Sequence, residues 1–199
     1  KVEVTGKTRK QGTRITFHPD PEIFETLLYN YDTLASRLRE QAFLNKGIKI
    51  TLSDLRTEKE AEFHYKGGIV EFVSHLNKAK SPLHKKPIYI SGRVERAEVE
   101  VALQWSNAYN ETIFTYANSV NTVDGGTHIA GLRSAMTRVI NSYATSNNLL
   151  KNLKANLDGD DVREGLVAVL SVRLPVPQFE GQTKSKLGNS EMKGVVEQV

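Results

Sequence analysis

Nine consecutive residues constrain this chain more than any others. Leu166-Val167-Ala168-Val169-Leu170-Ser171-Val172-Arg173-Leu174 is nearly all apolar, which predicts a buried strand. Pro175 and Pro177 end it. Around it stand other strand patterns, at Ile88 to Gly92, Ala97 to Trp105 and Thr112 to Ser119. In the second, Val99, Val101 and Leu103 alternate with Glu98, Glu100, Ala102 and Gln104, as in a sheet with one wet face.

Helical patterns accompany these strands. Asp32 is a good N-cap, with Leu34, Ala35, Leu38 and Ala42 on one face, and Gly47 is the stop. Ile48, Ile50 and Leu52 share one side of a strand that pairs back with Glu62 to Tyr65. Gly67-Gly68 then marks a boundary, and Ile69 to Leu76 carries an apolar helical stripe. After Gly125-Gly126 comes the strongest helix. Ile129, Leu132, Met136, Val139, Ile140 and Tyr143 recur at helical spacing, and Arg133, Thr137 and Asn141 form a polar row with Arg138 close by. Asp160 and Asp161 suit the first turn of a short helix. A final helical segment spans about Asn189 to Val199. At the front, Val2 and Val4, then Thr13 to Phe17, read as a hairpin. The chain opens inside a strand pattern and closes inside a helical one, which reads as a piece of a larger protein.

The 199 residues allow one ordinary domain or two small ones, and 39% hydrophobic with 25% charged residues is a globular composition. No apolar run approaches the length of a membrane span, and Lys1 to Val4 lacks a signal peptide's hydrophobic stretch. With no cysteine, disulfide frameworks, thiol nucleophiles and cysteine-ligated metal sites are excluded. The net charge of +4 is mild, but its distribution is not even. Gly125 to Leu157 holds Arg133, Arg138, Lys151 and Lys154 with no acid. Phe72 to Val94 holds Lys78, Lys80, Lys85, Lys86 and Arg93, again with no acid. Such a face suits a polyanion or simply water.

Most familiar catalytic devices are missing. There is no phosphate-binding Gly-x-x-x-x-Gly-Lys-Ser/Thr loop and no Gly-x-Gly-x-x-Gly. The five histidines lack zinc spacing, and His128 reads as a helper in capping the helix after Gly126. Asp158 to Asp161 lacks the alternating ligands of a calcium loop. The loop Gly181 to Gly188 differs. It follows a buried strand and presents Gln182 and Lys184, a long amide and a mobile cation able to reach a terminal phosphate or to lie solvated.

Several runs resemble the type IIA DNA topoisomerases, in family order and over nearly the whole chain. They are Gly12 to Phe17, Arg39 to Asn45, Asp124-Gly125-Gly126-Thr127-His128 with Gly131-Leu132-Arg133, Asp161 to Leu166, and Pro177 to Lys184 with its Gln-Thr-Lys loop. The resemblance is to the ATP-hydrolysing B-type subunit of the supercoiling bacterial member, with the decatenating paralogue as the alternative. It implies an α+β fold. Residues 1–67 would be the C-terminal portion of a GHKL ATPase domain. Residues 68–199 would be a transducer domain, a two-layer fold with helices on one side of a sheet and a left-handed βαβ unit.

The resemblance also implies roles. Lys184 would contact the γ-phosphate of ATP, supported by Gln182. Thr13 would hydrogen-bond near the adenine, and Ile15 would line its pocket. Arg133 would face the cavity through which double-stranded DNA passes, and charge and helical position place Arg138 beside it. The Mg²⁺ ligands and the catalytic base would lie N-terminal to this stretch, so the stretch alone would not hydrolyse ATP. Partners would be a second copy of the same polypeptide, dimerising with ATP, and the A-type polypeptide of the same enzyme in an A2B2 assembly, in the cytoplasm with no membrane. Two other readings compete: a stand-alone basic nucleic-acid-binding module, and a piece of a mismatch-repair or chaperone ATPase.

Overall fold

The computed structural model describes residues 3, 6, 7, 9, 11–151 and 155–199. In chain order the elements are α1 (Tyr31–Leu44), β1 (Lys49–Asp54), β2 (Lys59–His64), α2 (Ile69–Leu76), β3 (Ile88–Val94), β4 (Ala97–Trp105), β5 (Thr112–Ala117) and β6 (Val120–Asn121). Then follow β7 (Gly125–Gly126), α3 (Thr127–Ser146), α4 (Gly159–Arg163), β8 (Leu166–Arg173), β9 (Phe179–Glu180), β10 (Lys186–Leu187) and α5 (Glu191–Gln198).

Eight residues of the nine-residue apolar run become β8, the middle strand of a five-stranded sheet ordered β3-β4-β8-β5-β6. It pairs antiparallel with β4 and parallel with β5. A parallel neighbour cannot be reached by a tight turn, so the chain crosses over through β6, β7, α3 and α4. This is the βαβ crossover that the sequence resemblance anticipates.

Alternation sorts the side chains of β8. Leu166, Ala168, Leu170 and Val172 join Val99, Val101 and Leu103 of β4 under Leu132 and Met136 of α3 and Met192 and Val196 of α5. Val167 and Val169 face the other way and join Ala102 and Tyr116 under Phe43 of α1 and Ile69, Phe72 and Val73 of α2. Helices therefore cover both faces, where one covered side was expected. The wet face survives only at one end of β4, where Glu98 and Glu100 remain partly exposed beside Arg173. At the other end Ala102 and Gln104 are buried, and Gln104 accepts a 2.8 Å bond from Asn77 Nδ2 just past α2. Alternation along one strand cannot show which neighbour will arrive to cover it.

α1 starts earlier than expected. Asn30, not Asp32, is its cap, accepting from Thr33 N at 2.9 Å. Ala35 and Ala42 pack on the β1–β2 hairpin, while Leu34 stays exposed. Phe43 stacks between Tyr65 and Phe72, with centroids 3.7 and 4.7 Å away, joining the hairpin to α2. α4 carries the expected acidic first turn, here a full capping box between Asp158 and Asp161. β5 ends at Ala117 rather than Ser119, because Asn118 and Ser119 adopt positive φ in the turn to β6.

The expected N-terminal hairpin is not seen in the described part. Val2 and Val4 lie outside the described residues. Thr13 to Phe17 forms no strand, having no ladder partner among the described residues. No described helix is long and apolar enough to cross a membrane.

Candidate functional site

The loop holding Gln182 and Lys184 is the tip of a small sheet ordered β7-β10-β9. β9 and β10 form its hairpin stem, with Lys186 opposite Glu180 and an ion pair of 3.0 Å between them. At the tip the backbone turns left-handed twice, at Gly181 (φ 77°) and Lys184 (φ 56°), and Lys184 N donates to Gly181 O at 3.3 Å. Gln182 and Lys184 are exposed. Among the described residues Lys184 has no carboxylate partner, whereas Lys186 does. One turn thus presents one uncompensated cation and one amide, a fit for a phosphate oxygen.

β7 is the Gly125-Gly126 pair, and it runs parallel to β10. Gly126 sits at φ 136°, and a Cβ there would lie 2.3 Å from Leu187 O and 2.7 Å from Leu187 N. Only glycine allows the two backbones to come this close. Asp124 N also donates to Ser185 O at 2.9 Å. The Gln182–Lys184 loop and the start of α3 are therefore joined main chain to main chain.

His128, one residue into α3, does not cap it. Gly126 is the N-cap position and offers no side chain. His128 is instead fully buried, its Nε2 3.0 Å from Thr122 Oγ1, and burial pushes its pKa down from 6.5 to about 4. Thr122 and Thr115 bond to each other's main chain at 2.9 Å. The imidazole is a structural group tying α3 to β5.

Arg133 lies farther along α3 and pairs with Glu111, which also receives Arg163 Nε at 2.9 Å. This ion network borders an open polar pocket of about 460 Å³, shared by Glu111, Asn121, Thr122, Asp124 and Arg133. Arg138 is exposed and donates to Glu197 O of α5 at 3.2 Å, away from that network. The polar row also has a structural duty, since Asn141 exchanges bonds of 2.8 and 2.9 Å with the Leu157 main chain. Thr13 and Ile15 are exposed, Ile15 by 80%, and no hydrogen bond or buried cluster joins them to Gln182 or Lys184. No three His, Asp or Glu side chains converge as metal ligands among the described residues.

Two contributors leave little trace in the sequence. Glu111 sits in an unremarkable loop, and nothing local marks it. Asn189 reads there only as a helix start, yet it is 3% exposed and bonds to three segments. A Gly-Asn-Ser run just behind the Gln182–Lys184 loop is the only signal it leaves.

Residues 68–199 match the family model described as DNA gyrase B. The chain is similar to the DNA gyrase B protein of Clostridium acetobutylicum, 54% identical over 198 residues, covering 99% of this chain and 31% of that protein. It thus spans about a third of that relative's length. The 43K ATPase domain of Thermus thermophilus gyrase B, solved with an aminocoumarin, superposes with a TM-score of 0.79 at 43% identity, covering 91% of this chain and 49% of that one. The topoisomerase IV ATP-binding domain of Francisella tularensis, solved with a small-molecule inhibitor, superposes at 0.73 with 26% identity, over 90% of this chain and 48% of that one.

Proposed function

The chain belongs to the DNA gyrase B family, and from that membership we propose that it is the coupling stretch of a gyrase B polypeptide. Residues 1–67 are the C-terminal portion of the GHKL ATPase domain, and residues 68–199 are the transducer domain. The whole enzyme hydrolyses ATP with Mg²⁺ and introduces negative supercoils into DNA. The gyrase B polypeptide pairs with a second copy and with gyrase A in an A2B2 assembly in the cytoplasm. This stretch senses the nucleotide and passes the signal on.

In this reading Lys184 donates to the γ-phosphate, and Gln182 supports it. As charge builds on the transferring phosphoryl oxygens, a cation already aimed at them lowers the barrier. Once the phosphate leaves, Lys184 loses its counter-charge and its loop is free to shift. Thr13 and Ile15 belong to the adenine pocket, which is completed by parts of the protein N-terminal to them. Arg133 and Arg138 lie along the DNA passage and touch phosphates, giving salt-sensitive contact without base reading.

One observation carries the proposal: the uncompensated cation Lys184 stands on a loop whose stem is hydrogen-bonded directly to the start of the basic helix α3. The test is Lys184→Ala in the full-length protein. Nucleotide binding should persist, while turnover falls on the order of 10²-fold, the size expected for removing one transition-state donor. Unchanged turnover would remove Lys184 from the mechanism.

A further inference from the structure

The stem of the Lys184 loop is held by more than the β7–β10 pairing. Asn189 Oδ1 accepts from Gln178 N at 2.7 Å, and its Nδ2 donates to Val176 O at 3.3 Å and to Glu191 Oε1 at 2.8 Å. Its own carbonyl accepts from Thr127 Oγ1 at 2.6 Å. Thr127 is the first residue of α3. A single buried asparagine thus ties the strand entering the loop and the start of α5 to the first residue of α3. Farther along, a Cβ at Gly131 would lie 2.5 Å from Lys193 O, so α3 and α5 meet at backbone distance.

We propose that Thr127 and Asn189 are positioning residues that transmit displacement of the Lys184 loop to α3. The bond from the Thr127 hydroxyl to the Asn189 carbonyl then couples DNA on the α3 side to nucleotide turnover on the loop side. The inference rests on the reading of Lys184 as phosphate sensor and Arg133 as DNA contact. Close packing supports it: a dense interior has little compressibility, so a shift at one end of a bonded contact is passed on rather than absorbed. The Gly126 ladder keeps the loop near α3. The Thr127 bond fixes the first turn of α3 in register with that loop.

Thr127→Val deletes the hydroxyl and keeps the shape, so it opens no cavity. Thr127→Ser keeps the hydroxyl. Both are measured in the full-length protein assembled with gyrase A, as ATP turnover against ATP concentration with and without linear duplex DNA. In the valine variant, KM and the basal rate should stay within about twofold of wild type. The factor by which DNA stimulates turnover should fall by about fivefold or more, the lower range of allosteric coupling. The serine variant should restore it.

Wild-type stimulation in the valine variant would overturn the proposal. So would an equal fall in basal and stimulated rates, or a serine variant as poor as valine. Lys184→Ala and Arg133→Ala run beside them to separate the two levels. Normal behaviour in those alanine variants defeats the functional reading itself. Defects there with normal Thr127→Val defeat only the link.

Discussion

Acidification should weaken this fold through one imidazole. His128 is fully buried, with Nε2 3.0 Å from Thr122 Oγ1 and no partner for Nδ1. With no partner at Nδ1, the neutral ring is assigned the Nε2–H tautomer, which donates to Thr122 Oγ1 and leaves Nδ1 bare. Protonating Nδ1 would bury a charge and an unpaired N–H together. Burial accordingly holds the pKa near 4, against 6.5 for the free side chain.

The direction follows from proton counting. Between these two values the unfolded chain binds a proton that the native state refuses. The contribution is complete above pH 6.5 and is lost as the pH falls toward 4. One pKa unit is worth about 1.4 kcal/mol, so the full loss is about 3 kcal/mol. The part falling between pH 7.5 and pH 5 is about 2 kcal/mol. Urea unfolding at a series of pH values, for wild type and His128→Gln, isolates it from the carboxylates that also begin to titrate. Glutamine can still reach Thr122 and has no such proton to gain. Wild type should lose about 2 kcal/mol more than the variant over that range. Parallel stability curves would show that His128 is free to protonate in the fold.

Three further outcomes follow from the packing. Gly126→Ala combines a φ of 136° with backbone atoms inside 3 Å of the new Cβ, so it should lower stability by about 2–4 kcal/mol and break the β7–β10 ladder, read by thermal unfolding and amide exchange at Leu187. Leu170→Ala, at a side chain with no exposure in the middle strand, should cost about 2–5 kcal/mol in urea unfolding, and a cost below about 1 would contradict its place in the core. Glu111→Gln removes the carboxylate shared by Arg133 and Arg163, so duplex-DNA affinity should rise a few-fold at low salt, with a salt slope steeper by about 0.9 per phosphate gained. Unchanged binding would mean that Arg133 does not meet DNA.

Much of this architecture was readable because the signal was local. β8 betrayed itself by apolarity at nearly every position, and a strand covered on both faces leaves no polar phase. α3 showed its stripe, and α4 its acidic first turn, because capping involves residues only a few apart. The failures share a cause. Whether Ala102 and Gln104 are wet depends on α2, which arrives from another part of the chain. His128 looks like a helix-start residue until Thr122 and Thr115 close over it. Thr13 to Phe17 alternates well, but alternation alone supplies no ladder partner. At the site, Lys184 was visible as a cation in a flexible loop and Arg133 as part of a polar row. Glu111 was not, since an ion pair between a loop and a distant helix leaves no periodicity behind.

The Gly125-Gly126-Thr127-His128 run and the Gln182-Thr183-Lys184 run look like separate devices in the sequence, more than fifty residues apart. In the fold they are two sides of one joint. Gly125 pairs with Lys186 and Gly126 with Leu187, and Gly126 can do so only because it has no side chain. Thr127 closes the joint through Asn189, and His128 roots the same helix in the sheet through Thr122. Gly125, Gly126 and Thr127 therefore meet the segment that follows the second run, and His128 anchors their helix to the sheet. In the proposed function, a phosphate-sensing loop without that joint could bind its ligand and flex alone. With it, under the proposed coupling, displacement of Lys184 pulls on the first turn of the helix that carries Arg133.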